Sequence, residues 1–246
     1  MSTNNLRFNE YYQMQNIFDW LYQRSLHKAI KGLDLYRIIT SDNNILLAYR
    51  ILKSNKGSKT PSLNGITIDN LKEGNKQAVI NLIKQTLENY TPDKVKNVTI
   101  PKTNGKTRTL GIPSVIDRVI QQIFKQVLEP ICEAQFYKDS YGFRPNRSAH
   151  HAILRCAFIV NRTNCHHVVN VDIKSFFDKV NHTKLLKQLY TIGIKDKRVL
   201  SIIAKMIKSP TSLHDKPSMG TPQGGILPPL LSNVVLNDLD WWIAKQ

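Results

Sequence analysis

The chain reads as an α+β protein, and three observations predict it. Apolar residues recur at helical intervals over 16–52, 71–90 and 114–136. The basic segment 95–112 is split by Asn104-Gly105, a pair that favours tight hairpin turns because both residues tolerate positive φ. The largely apolar run Val168-Val-Asn-Val-Asp172 has the length and β-branched content of a buried strand that delivers one carboxylate at its end. At 246 residues and 41% apolar content, the chain is long enough to bury a substantial core and too apolar for wholesale disorder.

In chain order, the first sixty residues read as helices broken near Gly32 and the Ser41-Asp-Asn-Asn44 cluster, a helical N-terminal extension over 1–60. The stretch 53–65 is basic and rich in Gly, Pro, Ser and Asn without periodicity, so it reads as a loop whose Lys53, Lys56 and Lys59 either touch phosphate or stay solvated. An amphipathic helix follows, with Val79, Leu82, Ile83 and Leu87 on one face. The hairpin after it carries Lys94, Lys96, Lys102, Lys106 and Arg108, placed where a phosphate chain is gripped.

A strong helix is expected over 114–136, with Ser114 as N-cap, Asp117 in the first turn and Ile116, Ile120, Ile123 and Val127 in a core stripe. Pro130 is expected to bend or end it. The block 140–150 mixes Tyr141 and Phe143 with Arg144 and Arg147; such planes stack on bases or bind phosphate, or they pin a loop. Helices are then expected over 149–161, 182–190 and 199–208, with a turn at Gly193 and a boundary at Pro210. A last amphipathic helix, 233–245, shows Val234, Leu236, Leu239, Trp242 and Ile243.

Lys plus Arg number 35 against 18 Asp plus Glu, a net charge of +17 that attracts a polyanion and makes nucleic acid the leading partner. Cys132, Cys156 and Cys165 are odd in number and lack paired spacing, which argues against a disulfide framework or zinc ribbon and suits a reducing compartment. Cys165-His166-His167 is not a metal site by pattern, since adjacent strand side chains point to opposite faces. No basic start leads into an apolar run and no eighteen apolar residues are consecutive, so a cytoplasmic protein without membrane contact is expected.

Six blocks in order carry a resemblance. They are 100–113 (Ile-Pro-Lys-Thr-Asn-Gly-Lys-Thr-Arg-Thr-Leu-Gly-Ile-Pro), Asp117-Arg118, Leu128-Glu-Pro130, Ser140-Tyr-Gly-Phe-Arg-Pro145, the Asp172 segment and Gly220-Thr-Pro-Gln-Gly-Gly225. Together they closely resemble the group II intron-encoded reverse transcriptases, the maturases, clearly over 100–242. The resemblance implies a right-hand polymerase: fingers over 61–114 with the hairpin 95–112, palm over 115–180, finger helices over 181–217, and an incomplete palm over 218–246. Pro228 and Thr109 depart from the family pattern at positions where Ser and Pro are usual.

The same resemblance implies roles for individual residues. Asp172 is the catalytic carboxylate and a magnesium ligand, helped by the backbone carbonyl of Ile173. Lys102 and Arg108 hold the incoming triphosphate, Phe177 lies under the sugar and selects deoxynucleotides, and Gln223 contacts nucleotide sugar and phosphate beside the close-approach glycines 224 and 225. Asp178 is expected to make a salt link or helix cap. Lys53, Lys56, Lys59, Arg144 and Arg147 are the expected RNA contacts. The implied partners are intron RNA, an RNA template, a DNA primer and deoxynucleotides, with homodimer formation left open. No Tyr-x-Asp-Asp segment follows the Gln223 turn, so the chain is expected to be a catalytically incomplete fragment. Two other readings stay open: a splicing cofactor that binds intron RNA without chemistry, and a reverse transcriptase of another bacterial class.

Overall fold

Helix α6, Val115–Glu133, is the axis around which the N-terminal helices and the last helix pack. The computed structural model describes residues 7–73, 75–101, 105, 107–163, 167–210, 217–222 and 224–245. Before α6 come α1 (Phe8–Tyr11), α2 (Gln15–Leu26), α3 (Leu35–Ile39), α4 (Asp42–Ser54) and α5 (Lys76–Glu88), then strands β1 (Lys96–Pro101) and β2 (Thr107–Ile112). After it come α7 (Ala149–Arg162), α8 (His182–Ile192), α9 (Lys197–Ile207) and α10 (Pro228–Ile243). None of the described helices is long and apolar enough to cross a membrane.

Ser114 starts α6 as expected. Its hydroxyl accepts from the Asp117 N–H at 3.1 Å and donates to the Asp117 carboxylate at 3.0 Å. That carboxylate also accepts from the Tyr90 hydroxyl at 2.7 Å and the Asp93 N–H at 2.9 Å, so one side chain fixes α6, the end of α5 and the entry to β1. Burial pushes the Asp117 carboxyl above its ordinary value, against the pull of those hydrogen bonds. Pro130 does not end the helix, which runs on to Glu133. A proline this close to the C-terminus removes one backbone bond, and packing of the last turn compensates. There α2 assists, with the Ser25 hydroxyl donating to the Ile131 carbonyl at 2.8 Å.

Ile120, Ile123, Phe124, Val127, Leu128 and Ile131 are fully buried, each side chain stabilising the fold by roughly 1.5–3 kcal/mol. They meet Leu21 of α2, Leu35 and Ile39 of α3 and Ile45, Leu47 and Ala48 of α4 in one core cluster, so the N-terminal helices share their interior with α6. The buried Asn44 sits in the seam. Its amide donates to the carbonyls of Ile39 and Ile123 at 2.8 and 3.0 Å and accepts from Gln126 at 2.7 Å, while Gln122 donates to Gln126 at 3.1 Å. Each polar group placed against α6 here is paired, which such depth requires.

Several expected faces shift. In α5 the buried residues are Val79, Ile80, Ile83 and Leu87, and Leu82 is exposed. In α10, which Pro228 opens at its first turn, Leu230, Leu231 and Val234 are buried whereas Leu239, Trp242 and Ile243 face outward. The packed face of α10 thus lies one to two turns earlier than its apolar pattern implies.

The hairpin pairs Pro101 with Thr107 and Lys96 with Ile112. A two-residue Asn104-Gly105 turn would set Pro101 opposite Arg108; the observed pairing is shifted by one residue, and Gly105 takes φ +76°. The expected strand at Val168–Asp172 does not form. The segment has no regular secondary structure and joins no ladder, and Val168, Val169 and Val171 are 80–85% exposed. A strand is stabilised only by a partner that takes its backbone groups, and among the described residues β1 and β2 make the one sheet.

Replacing Asn44 by Leu takes the side-chain donor from the Ile39 and Ile123 carbonyls in the core, while the Gln126 amide keeps the Asn44 backbone carbonyl at 3.2 Å. Urea unfolding should show a loss of roughly 2–4 kcal/mol, at about 1–3 kcal/mol for each unsatisfied buried group. Lys84→Ala, which breaks an exposed pair with Asp42, should change stability by less than about 0.5 kcal/mol.

Candidate functional site

Three segments far apart in sequence meet beside the N-terminal half of α6. The first is the turn after Phe177. Ser175 takes a left-handed conformation and starts a 3-10 turn, Phe176–Lys179, in which Phe176 packs against the core and Phe177 is half-buried, edge-on to Phe176 with centroids 5.7 Å apart. The second is the segment leading to Gln223. Gly220 N–H donates to the Val180 carbonyl and Thr221 N–H to the Phe177 carbonyl, both at 2.8 Å. The third is β2, whose Gly111 and Leu110 lie over Gly224.

The glycines of the Gln223 turn are dictated by that convergence. At Gly224, φ is +107° and an added Cβ would run into the Gly111 carbonyl oxygen and lie 2.8 Å from Leu110 Cδ1. At Gly225 it would lie 2.8 Å from the Gln121 side-chain oxygen. That oxygen accepts from the Ile226 N–H at 2.7 Å and the Leu227 N–H at 3.4 Å, so α6 itself holds the exit of the turn. Gln121 was not among the expected residues. Its only sequence signal is a polar side chain one turn after Asp117 on a helix otherwise buried.

The expected site residues fall out unevenly. Phe177 and the Gln223 turn are neighbours through the Phe177 carbonyl, and β2 brings the Arg108 backbone to the same side, paired with Ile100. Lys102, Lys106 and Gln223, the side chain of Arg108 and those of Lys56 and Thr109 lie outside the described residues, as do Cys165 and His166. Asp172 is exposed, not buried at a strand end, so the cost of burying a lone carboxylate does not apply to it. Ile173 is 45% exposed. Among the described residues no three His, Cys, Asp or Glu side chains converge as a metal cluster. An exposed carboxylate beside a backbone carbonyl has the hard-oxygen chemistry of a magnesium held mainly by substrate phosphates, and by itself does not make a two-metal centre.

Arg144 corrects an expectation. Its guanidinium is buried, donates to both oxygens of Glu133 at 2.9–3.1 Å and to the carbonyls of Tyr137 and Ser140 at 2.7 and 2.9 Å, and lies over the Phe136 ring. A bidentate pair at this depth pins the 140–145 loop to the end of α6 and leaves no face for RNA. Arg147 is half-buried, donating to the Lys138 carbonyl and covering the Tyr141 ring at 5.3 Å. Lys53 and Lys59 are exposed. The loop expected around them is partly a 3-10 turn, Lys56–Lys59, held by Arg118, which donates to the Gly57 and Thr60 carbonyls at 3.3 and 2.9 Å.

Residues 100–246 match the family model described as reverse transcriptase (RNA-dependent DNA polymerase). The chain belongs to the reverse transcriptase family. Protein YkfC of Escherichia coli K12 is 36% identical over 220 residues, covering 86% of this chain and 57% of that protein. The group II intron-encoded protein LtrA of Lactococcus lactis is 36% identical over 217 residues, covering 86% of this chain and 35% of that protein. These relatives bear out the resemblance to group II intron-encoded reverse transcriptases, and the chain spans little more than half the length of the first and about a third of the second. A chain of a partial complex of Cas6-RT-Cas1 with Cas2 superposes with a TM-score of 0.54 at 24% identity over 87% of this chain and 36% of its own, a likeness of fold.

Because Arg144 serves this reverse transcriptase fold, its loss should register as stability. Arg144→Ala leaves Glu133 charged without its partner and should cost about 3–5 kcal/mol in denaturant unfolding. An unchanged unfolding midpoint with weakened RNA binding would restore it to the nucleic-acid surface.

Proposed function

We propose that the protein carrying this chain is the RNA-directed DNA polymerase of a group II intron, which also binds the intron RNA to assist splicing and mobility. The observation that supports it most is the convergence of Phe177, the Gln223 turn and the β2 strand on one side of α6. These elements belong to the three blocks that the resemblance gives to nucleotide handling. In this reading the hairpin and α5 are fingers, α6 and the Asp172–Phe177 segment are palm, α8 and α9 return to the fingers, and the Gln223 turn with α10 completes this part of the palm. The helices of 1–60 form the extension that grips RNA, and the cytoplasm is the working compartment.

Each side chain then has a task. Lys102 and Arg108 neutralise the triphosphate, Gln223 orients the sugar, and Phe177 excludes a 2′-hydroxyl by occupying its space. Asp172 and the Ile173 carbonyl would hold magnesium, which supplies charge neutralisation on the transferring phosphate. The excess of 17 positive charges draws template, primer and intron RNA to the surface.

In the full-length protein, Asp172→Asn should abolish primer extension on an RNA template while RNA affinity stays within about twofold; retained synthesis removes Asp172 from the chemistry. Phe177→Ala should raise ribonucleotide incorporation relative to deoxynucleotides by at least tenfold.

Neutralising Lys53, Lys56 and Lys59 together tests the RNA grip. The slope of log affinity against log salt should fall by about 0.7–0.9 for each phosphate that a lysine no longer neutralises. Equal affinity for intron RNA and random duplex would instead leave only general attraction to polyanions.

A further inference from the structure

His182 has no part in the nucleotide chemistry described above, yet it is 4% exposed at the first position of α8 and its imidazole faces the backbone of the Gln223 segment. Nε2 lies 2.6 Å from the Gly220 carbonyl oxygen. A carbonyl oxygen only accepts, so Nε2 carries the proton in this contact. The Gly220–Thr221 peptide unit consists of that carbonyl and the Thr221 N–H, and the N–H donates to the Phe177 carbonyl at 2.8 Å. One peptide plane is therefore held at both ends, by His182 on one side and by the Phe177 backbone on the other.

The surroundings allow this plane little else. Gly220 sits at φ +88°, and an added Cβ would lie 2.9 Å from the Asp178 carbonyl oxygen and 3.1 Å from that of Phe177. Its N–H donates to the Val180 carbonyl, and Asn181 bridges to Met219. Among the described residues the buried His182 Nδ1 and Thr221 Oγ1 have no hydrogen-bond partner, so the Nε2 contact and the Thr221 backbone bond carry the polar pairing of this junction.

We infer that His182 is a positioning residue that locks the Gly220–Thr221 peptide plane and so couples the ring of Phe177 to the turn carrying Gln223. Only Pro222 separates Thr221 from Gln223, and the Phe177 carbonyl belongs to the residue whose ring faces the sugar in the proposed function, on which this inference rests. A flip of the plane releases both at once. The lock therefore acts on nucleotide affinity and sugar selection, and leaves RNA binding alone.

The test uses the full-length protein with His182→Leu, which removes the donor, and His182→Gln, whose amide N–H reaches the same carbonyl. Hydrogen exchange read by mass spectrometry over residues 219–222 reports the plane without any need for activity. Exchange should quicken at least tenfold in the Leu variant and return to within threefold of the parent in the Gln variant. In primer extension, the KM for deoxynucleotide should rise about tenfold in the Leu variant with kcat changed less than threefold, the Gln variant recovering most of the loss. Equal impairment of both variants, or unchanged exchange in the Leu variant, overturns the lock. A parent protein with no extension activity would overturn the polymerase reading alone, since the exchange experiment stands without it.

Discussion

A helix buried on nearly every side has to satisfy its polar side chains within the protein, and α6 is such a helix. Asp117, Gln121 and Gln126 lie about a turn apart, each buried and each hydrogen-bonded to a different neighbouring element, and the buried Gln122 donates to Gln126. An apolar residue at these positions would pack as well but would not choose among neighbours, whereas an unpaired donor or acceptor at this depth costs about 1–3 kcal/mol. The polar positions of α6 thus set the register of the surrounding elements. Asp117 holds the end of α5 and the approach to β1, Gln121 the start of α10, and Gln126 the seam with α4.

The candidate site inherits its order from that helix. Gln121 holds Ile226 and Leu227, which leaves Gly224 and Gly225 wedged between α6 and β2, where no side chain fits. The segment before them is tied to the Phe176–Lys179 turn through two backbone hydrogen bonds. The described residues of the turn are fixed at both ends, by the Phe177 backbone at the entrance and the Gln121 side chain at the exit. Its backbone is held from α6, from β2 and from the Phe177 segment, an arrangement suited to a group that must meet its ligand within a fraction of an ångström.

Much of this was legible in the sequence wherever the signal is local. Ser114, Asp117 and the Ile120 stripe specify α6 because capping and helical spacing are decided within a few residues. Asn104-Gly105 locates the hairpin, though not its register, since a turn signal does not say how many residues the loop keeps. Legibility fails where burial depends on distant partners. Leu82 and Trp242 fit an apolar stripe yet face outward, and Val168–Val171 have strand propensity with no ladder to join among the described residues. The roles of Gln121 and Arg118 do not follow from local pattern, as they depend on which backbone each side chain meets.

The division between arginine and lysine follows from the same geometry. Arg118, Arg144 and Arg155 direct planar guanidinium forks at several oxygens at once, carbonyls for Arg118, a carboxylate and carbonyls for Arg144, and the Asp139 carboxylate for Arg155. A rigid fork with five donors is well matched to that internal work, and a flexible point charge is not. Lys53 and Lys59, by contrast, stand exposed on a turn that Arg118 fixes from beneath. The arginine serves the backbone and the lysines face solvent, so loss of Arg118 would move a charged surface while keeping its lysines. Attraction to a polyanion and the placement of that attraction are then separable properties of this chain, the first carried by the number of charges and the second by arginines such as the half-buried Arg118, whose guanidinium is engaged with the protein's own carbonyls.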